Sequence, residues 1–229
     1  MTRVKICGLT SREDLRVAVE AGADAIGLLV DVPVDSPREI DAQRAVELAD
    51  AAPPFVTTVL VTMPDSPERA VELARAIDPD AVQIHGDLGV GDIAYLTSSV
   101  NAQLLKVVDA AEPENARRYD DVADALLVDS VDDVGAGGTG ETHDWERTTE
   151  FAAGLDSPVV LAGGLTPENV ADAVRSVEPF AVDVASGVER SDDTPDSSEA
   201  ASPNAGRKDP NAVADFVANA KRAYPTPTP

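Results

Sequence analysis

The chain has 229 residues, and because only 3% are aromatic while 43% are hydrophobic, its core must be built from Val, Leu, Ile and Ala. Its 42 acidic and 18 basic residues give a net charge of −24, which opposes binding to the phosphates of nucleic acids and to anionic membrane surfaces. The single cysteine excludes an intrachain disulfide.

Short apolar runs alternate with longer stretches of helical periodicity along the whole chain. Near-continuous apolar runs, such as the one at residues 25–30, are typical of strands that are covered on both faces. Strands are predicted at residues 3–7, 25–30, 55–62, 81–85, 103–108, 125–129, 158–162 and 181–185. Helices are predicted at residues 11–21, 42–50, 67–77, 91–98, 113–119 and 144–153, from 166 onward, and at 211–224.

The number and order of these elements predict the fold class. Eight β–α units in strict alternation imply an all-parallel sheet, and eight is the number that closes a (β/α)8 TIM barrel, an α/β fold. The alternative, a doubly wound open sheet, usually has fewer units. We therefore expect a single barrel domain over residues 1–224, with no sequence repeat beyond the alternation itself.

Two stretches are expected to stand apart from the barrel. Residues 189–207, after the eighth strand, are acidic and lack large apolar side chains, so burial cannot offset the entropy of ordering them. They are predicted to form a mobile loop or, because the stretch is long, a functional lid. Residues 225–229 form a Pro/Thr extension and are expected to be disordered.

The ends of the first and sixth strands carry groups that can transfer protons. Side chains alternate along a strand, so Lys5 and Cys7 should point into the barrel, and Lys5 should pair there with Asp183 because a buried charge needs a partner. A neighbouring cation would favour the Cys7 thiolate; the alternative is an inert buried cysteine. Asp129, which closes the sixth strand, is either a catalytic acid or base or the N-cap of a loop.

Other strand ends carry groups that suit an anionic ligand. Glycine-rich turns follow the sixth, seventh and eighth strands, at residues 135–140, 163–166 and 185–187. The region after strands seven and eight is the usual phosphate site of such barrels, although one glycine-rich turn alone can be an ordinary tight turn. Arg38, after the second strand, can pair with a carboxylate or be a solvated surface residue. His85, which follows Gln83 at the end of the fourth strand, is a proton-transfer group or a hydrogen-bonded wall residue.

Taken together, these segments resemble the phosphoribosylanthranilate isomerase family. The resemblance covers nearly the whole chain in order, and the combination of segments is highly specific. The segments that carry it are 5–10 (KICGLT), 36–38 (SPR), 80–86 (DAVQIHG), 127–129 (LVD), 137–140 (GGTG), 143–145 (HDW), 161–170 (LAGGLTPENV), 182–189 (VDVASGVE) and 206–209 (GRKD).

The resemblance implies a role for each matching residue. Cys7 would be the general base, Asp129 the general acid, and Arg38 the partner of the anthranilate carboxylate. Gly164 and the turn at 186–187 would hold the ribose phosphate. The implied substrate-binding residues other than Arg38 are Gln83, His85, Gly138, Gly163, Gly164, Asp183, Ser186 and Gly187.

The implied reaction is an Amadori rearrangement in the third step of tryptophan synthesis from chorismate. It would need no metal and no cofactor, because the iminium intermediate is itself the electron sink. The implied partner is a small phosphorylated molecule, and the chain would be a monomer or a homodimer.

Three other functions are alternatives to this one. The related isomerase of the histidine pathway has an acidic residue at the end of strand one, where this chain has Cys7. A non-catalytic barrel that binds a phosphorylated ligand would not need both Cys7 and Asp129. A scaffold role within the tryptophan pathway could exist beside the enzymatic one.

The termini and the charge indicate where the chain works. The N-terminus enters the first strand without the apolar segment of a signal peptide, and no apolar run approaches the roughly 18 residues of a spanning helix, so a cytoplasmic protein is expected. The Asp-rich composition with only four Lys resembles that of haloarchaeal proteins. The alternative is an ordinary acidic cytosolic protein.

We predict that the protein requires high salt to stay folded. Charge repulsion at a net charge of −24 destabilises the compact state at low ionic strength, whereas molar salt shrinks the Debye length to about 3 Å. The measurement is activity before and after dialysis from molar KCl into dilute buffer. Full activity in the dilute buffer would contradict the prediction.

Overall fold

The described residues form a closed barrel of eight parallel strands, in which β8 pairs with β1, and this confirms the predicted fold class. The computed structural model describes residues 1–112, 116–129, 145–190 and 204–224. The strands are β1 (Arg3–Ile6), β2 (Ala25–Leu29), β3 (Thr57–Thr62), β4 (Ala81–Ile84), β5 (Gln103–Asp109), β6 (Ala125–Asp129), β7 (Val159–Leu161) and β8 (Ala181–Val184).

Helices surround the barrel, and none in the described part of the chain is both long and apolar enough to cross a membrane. The helix predicted at 113–119 lies partly outside the described residues; its described part has two helical residues, Ala116 and Arg117, followed by a turn. The centre of the predicted acidic loop, 191–203, and the tail, 225–229, also lie outside them. The helices are α1 (Arg12–Ala21), α2 (Ala42–Ala49), α3 (Pro67–Ile77), α4 (Val90–Ser99), α5 (Trp145–Ala152), α6 (Val170–Val177) and α7 (Pro210–Arg222).

The strands alternate between two faces, as predicted for β1. Val4 and Ile6 are buried in the core cluster between the sheet and the helices. Lys5 and Cys7 point the other way, into the barrel, where Cys7 packs against interior residues such as Val61. Because successive side chains of a strand point to opposite faces, this register delivers a polar pair to the inside of an otherwise apolar barrel.

Ser11 is the N-cap of α1. Ser11 Oγ accepts a hydrogen bond from the Asp14 amide at 3.1 Å and donates one to Asp14 Oδ2 at 2.7 Å. Such a reciprocal arrangement satisfies amides that have no partner within the helix. Asp14 is nevertheless only 1% exposed, so the start of α1 is tied into the body of the protein.

A repeat that the sequence analysis did not find links alternate strands at the N-terminal end of the barrel. Asp24, Asp80 and Asp124 immediately precede β2, β4 and β6, and each carboxylate accepts a backbone N–H from the preceding strand. The amides that donate to these three carboxylates belong to Val4 at 2.9 Å, Thr58 at 2.8 Å and Leu104 at 2.7 Å. Before β8 the same place is taken by Phe180, over whose ring Arg3 lies at 4.3 Å.

Two of the predicted boundaries differ from the structure for a physical reason. The strand predicted from residue 55 begins at Thr57, because Phe55 is fully exposed and has a φ of 72°, which extended chain does not allow. The helix predicted from residue 166 begins at Val170. There the Asn169 side chain accepts a hydrogen bond from the Thr166 amide at 2.8 Å, so a turn closed by a side chain precedes the helix. Every other described boundary differs from its prediction by at most one or two residues.

Lys106 is buried on the face of β5 that meets the helices, like its register partner Ile84. Its Nζ donates hydrogen bonds to the carbonyl oxygens of Gly86 at 2.7 Å and Val107 at 2.9 Å. Burial lowers the pKa of Lys106 to about 8, although the nearby Asp87 acts in the opposite direction. The folded protein therefore releases this proton at a lower pH than the unfolded chain does.

We predict that wild type becomes more stable relative to Lys106→Met as the pH rises from about 8 to 10.5. Within this window the unfolded chain keeps the Lys106 proton and the folded protein does not, so the free energy of unfolding increases with pH. One pKa unit corresponds to about 1.4 kcal/mol, so the gain is up to about 3 kcal/mol.

Urea unfolding of both proteins in molar KCl, at pH 7 and at pH 10.5, measures this difference. Methionine keeps most of the apolar volume and removes the amine, so titrations that the two proteins share cancel. A stability difference that is the same at both pH values would contradict the role assigned to Lys106.

Candidate active site

A cavity that is open to solvent lies at the C-terminal ends of the strands. It brings together all the predicted site residues that the structure describes, whereas Gly138 lies outside the described residues. The predicted residues that line it are Cys7, Arg38, Gln83, His85, Asp129, Gly163, Gly164, Asp183, Ser186 and Gly187.

Cys7 lies immediately after β1 and is buried, with its amide bonded to the Val184 carbonyl at 2.8 Å. Gly27 on β2 makes room for it, since a Cβ at Gly27 would stand 2.7 Å from the Cys7 Sγ and 3.2 Å from the Lys5 Nζ. Burial raises the pKa of the Cys7 thiol, and Lys5 and Lys208 oppose this rise. The thiol is therefore protonated at neutral pH, and two cations are placed to stabilise its anion.

Lys5 and Asp183 form a buried ion pair in the interior of the barrel, as expected from the sequence. The Nζ and Oδ2 atoms are 2.8 Å apart, and the two side chains are 4% and 8% exposed. Burial alone would lower the pKa of Lys5, but the attraction and hydrogen bond of Asp183 outweigh it, so the pKa is raised. Among the described residues the second oxygen, Asp183 Oδ1, has no hydrogen-bond partner.

Asp129 ends β6 on the opposite side of the mouth from Cys7. Its interior orientation follows from Leu127, two residues earlier, which packs inside the barrel. Counted through β8 and β7, β6 lies three strands from β1, so a ligand in the cavity has Cys7 on one side and Asp129 on the other. Two groups placed in this way can act on different atoms of one substrate.

Gln83 and His85 form part of the cavity wall at the end of β4. Gln83 Nε2 lies 2.9 Å from His85 Nε2, and an amide nitrogen can only donate, so this histidine nitrogen is the acceptor. Gln83 Oε1 has no hydrogen-bond partner among the residues that the structure describes. The arrangement is that of a hydrogen-bonded wall pair with a polar atom left for a ligand.

The glycine turns after β7 and β8 touch each other. Gly163 and Gly164 have φ values of 86° and 60°, which favour glycine, and a Cβ at Gly187 would overlap the Leu165 carbonyl oxygen. Asn169 fixes the first turn by donating to the Gly164 carbonyl at 2.9 Å. The close approach exposes backbone atoms of both turns along one wall of the cavity.

Arg38 lies at the cavity wall, where the sequence placed it, but it already has a protein partner. Its Nε and Nη2 bond to Oε1 and Oε2 of Glu189 at 2.6 and 3.2 Å. The buried Lys208 bonds to the same carboxylate. Glu189 and Lys208 were not predicted as site residues, although both stand in segments that carry the family resemblance.

Gly27 and Asn169 are two further residues of the site that the sequence analysis missed. No local pattern identifies a glycine within a strand as the neighbour of a thiol on another strand. Asn169 could have been found, because an Asn five residues after a Gly-Gly pair is placed to hold the turn.

One side of the cavity is apolar. It includes two valines of the loop after β2. The apolar wall consists of Leu29, Val32, Val34, Val61 and Met63.

Sequence comparison places the chain among known proteins. A family model described as N-(5'phosphoribosyl)anthranilate (PRA) isomerase matches residues 4–219. An N-(5'-phosphoribosyl)anthranilate isomerase from Halorubrum lacusprofundi is 59% identical over 222 residues, which are 97% of this chain and 98% of the relative. The relative's source, a halophilic archaeon, agrees with the interpretation of the acidic composition.

Solved structures give the same result. A crystal structure of phosphoribosyl anthranilate isomerase in complex with reduced 1-(o-carboxyphenylamino)-1-deoxyribulose 5-phosphate has a TM-score of 0.78 and 32% identity, covering 96% of this chain and 99% of that one. Monomers generated from the dimeric enzyme of Thermotoga maritima also give a TM-score of 0.78 at 32% identity, with the same two coverages, 96% and 99%. The chain belongs to the N-(5'-phosphoribosyl)anthranilate isomerase family.

Proposed function

We propose that the chain performs the reaction of its family by general acid–base catalysis, with Cys7 as the base and Asp129 as the acid. The reaction converts N-(5'-phosphoribosyl)anthranilate into 1-(2-carboxyphenylamino)-1-deoxyribulose 5-phosphate. The observation that carries the assignment is that Cys7 and Asp129 line one cavity from opposite sides. The same cavity has an arginine and two glycine turns for the anionic groups of the substrate.

The first step opens the sugar. Asp129 protonates the furanose ring oxygen, the bond from C1 to that oxygen breaks, and the nitrogen lone pair forms the C1=N bond of an iminium ion. The electron pair of the broken bond stays on the oxygen, which leaves as a hydroxyl group. A buried carboxyl group beside the ring is suited to this transfer, because bulk water does not compete for the proton.

The second step removes the proton from C2. The thiolate form of Cys7, present once the thiol has lost its own proton to solvent, takes this proton. The C–H electrons form a C1=C2 double bond, and the iminium nitrogen becomes a neutral amine. The resulting enol then tautomerises: C1 gains a proton, the C2 hydroxyl loses one, and the ketone forms. Lys5 and Lys208 support this step because both lower the pKa of the Cys7 thiol.

The ends of the substrate are recognised by different parts of the cavity. Backbone groups of Gly164 and of the turn at Ser186–Gly187 are proposed to bind the ribose phosphate. Arg38 is proposed to bind the anthranilate carboxylate, and the apolar wall to hold the ring. The remaining proposed substrate contacts are Gln83, His85, Gly138, Gly163 and Asp183.

The cellular setting follows from the same proposal. The partner is a small phosphorylated molecule, and neither nucleic acid nor a membrane is part of the activity. We propose a cytoplasmic enzyme that is a monomer or a homodimer, and light scattering in molar KCl distinguishes these two forms.

We predict that Cys7→Ser and Asp129→Asn each lower kcat by at least about 100-fold, because positioned proton transfer contributes about 10² to 10⁴ to a rate. Turnover of N-(5'-phosphoribosyl)anthranilate is assayed in molar KCl, and circular dichroism checks that the fold is intact. If wild type folds but does not turn over the substrate, the proposed function is wrong. If one variant keeps wild-type turnover, only the role proposed for that residue is wrong.

We predict that Lys5→Met moves the rise of kcat/KM with pH to higher pH. The base must be deprotonated, so kcat/KM rises until the pH passes the pKa of Cys7, and loss of the Lys5 cation raises that pKa further. At neutral pH each additional pKa unit lowers the thiolate fraction about tenfold. Lys221→Met, on the outer helix α7, removes the same charge away from the cavity and should leave the profile in place. An unchanged profile for Lys5→Met would rule out its coupling to Cys7.

A further inference from the structure

We propose that Glu189 and Lys208 are positioning residues that orient Arg38, so that one fixed edge of its guanidinium group faces the cavity and selects ligands with a carboxylate on the ring. The inference rests on the proposed function above, because it concerns how the same cavity recognises one end of its substrate.

Glu189 occupies one edge of the guanidinium group. The contact is bidentate, with Nε to Oε1 at 2.6 Å and Nη2 to Oε2 at 3.2 Å. Both side chains are largely buried, at 22% and 14% exposure. A planar guanidinium held along its Nε edge can rotate little, so the Nη1 end is directed away from Glu189, and Arg38 lines the cavity.

Lys208 fixes Glu189 in turn. Its side chain is completely buried, and its Nζ donates to Glu189 Oε1 and to the Ala185 carbonyl, both at 3.0 Å. Ala185 immediately precedes the turn that is proposed to bind phosphate. One ammonium group thus holds the carboxylate behind Arg38 and the backbone beside the phosphate turn.

The backbone around Lys208 is itself tied down. Glu189 and Lys208 form an antiparallel bridge, and the Asp209 amide bonds to the Val188 carbonyl at 2.9 Å. The Lys208 amide donates to Asp14 Oδ1 at 3.2 Å, and Asp14 also pairs with Arg207. The positioning pair therefore sits on a clamped stem that connects β8, α7 and the start of α1.

The backbone that carries Arg38 is equally confined. A Cβ at Gly8 would stand 2.7 Å from Arg38 Cδ, and one at Gly206 would stand 2.8 Å from the Pro37 carbonyl oxygen. Both glycines have positive φ values, of 73° and 75°. The side chain of Arg38 thus packs against Gly8 and its loop packs against Gly206. Glu189 holds the guanidinium group.

The charges of the cluster explain how it can bind an anion. Burial by itself raises the pKa of Glu189, but Arg38 and Lys208 more than compensate, so the pKa is lowered. Glu189 is therefore ionised at neutral pH. Two cations and one anion leave a single positive charge, on the residue whose remaining edge faces the cavity. The negative charge of Glu189 weakens the attraction of Arg38 for an anion, but its contact with Arg38 fixes the direction from which the anion approaches.

Binding of two matched ligands to wild type and Glu189→Gln tests the proposal. The first ligand is reduced 1-(o-carboxyphenylamino)-1-deoxyribulose 5-phosphate, and the second is the same molecule without the ring carboxylate. Calorimetry in molar KCl gives the ratio of their Kd values. Wild type should prefer the carboxylated ligand, and Glu189→Gln should reduce this preference at least about tenfold, since contacts between charged groups are the strong ones.

The second ligand, kcat and a charge control separate orientation from general damage. In Glu189→Gln the Kd of the ligand without the carboxylate should stay within about twofold, and KM should rise more than kcat falls. Glu20→Gln, at an exposed position of α1, removes the same charge outside the cavity and should change neither the ratio of the Kd values nor KM. Equal weakening of both ligands by Glu189→Gln would show a merely structural role and overturn the proposal.

A double-mutant cycle tests whether Glu189 acts through Arg38. In an Arg38→Lys background the Glu189→Gln change should have little further effect on the ligand ratio, because the group to be oriented is gone. An undiminished effect there would overturn the proposal. Wild type that binds neither ligand would overturn the proposed function, and this inference with it. If Glu189→Gln prefers the carboxylated ligand as strongly as wild type does, this inference alone is overturned.

Discussion

The ion pair between Lys5 and Asp183 crosses the seam at which β8 closes the barrel onto β1. The two residues are register partners in that pair of strands, and their contact is buried. A buried ion pair offsets the loss of hydration only when its geometry is good, so it discriminates against any other register of these strands. Cys7 and the turn at Ser186–Gly187 follow these two strands directly. The seam that closes the fold therefore also sets the distance between Cys7, the proposed base, and the turn that is proposed to bind phosphate.

The sequence predicted the barrel because local patterns determine it. Eight apolar runs and the alternation of faces identify the strands. The position of Cys7 and Asp129 at strand ends marks them as candidates for proton transfer. What it did not predict depends on contacts between distant parts of the chain. Glu189 lies 151 residues from Arg38, and no periodicity links them. Phe55 was assigned to a strand by its residue type, whereas its backbone conformation, which residue type does not reveal, excludes one.

The overall charge opposes the approach of the substrate, whereas three basic side chains lie close to the cavity. A chain with a net charge of −24 repels a substrate that carries a phosphate and a carboxylate, and at low ionic strength this repulsion acts over a long range. Molar salt shrinks the Debye length to about 3 Å, but it screens the charges of buried side chains much less. Salt thus removes the repulsion on approach and leaves Lys5, Arg38 and Lys208 effective at close range.

The two ends of the barrel have different roles. The carboxylates that precede β2, β4 and β6 lie at the N-terminal end. They hold neighbouring strands together at the N-terminal end through bonds to backbone amides, which every residue except proline has. All the residues proposed for chemistry and recognition belong to the other end. Selection can therefore exchange the turns and side chains around the cavity without disturbing the contacts that keep the strands in register. A new specificity can therefore arise at the C-terminal end of the barrel, while the contacts at the N-terminal end keep the fold unchanged.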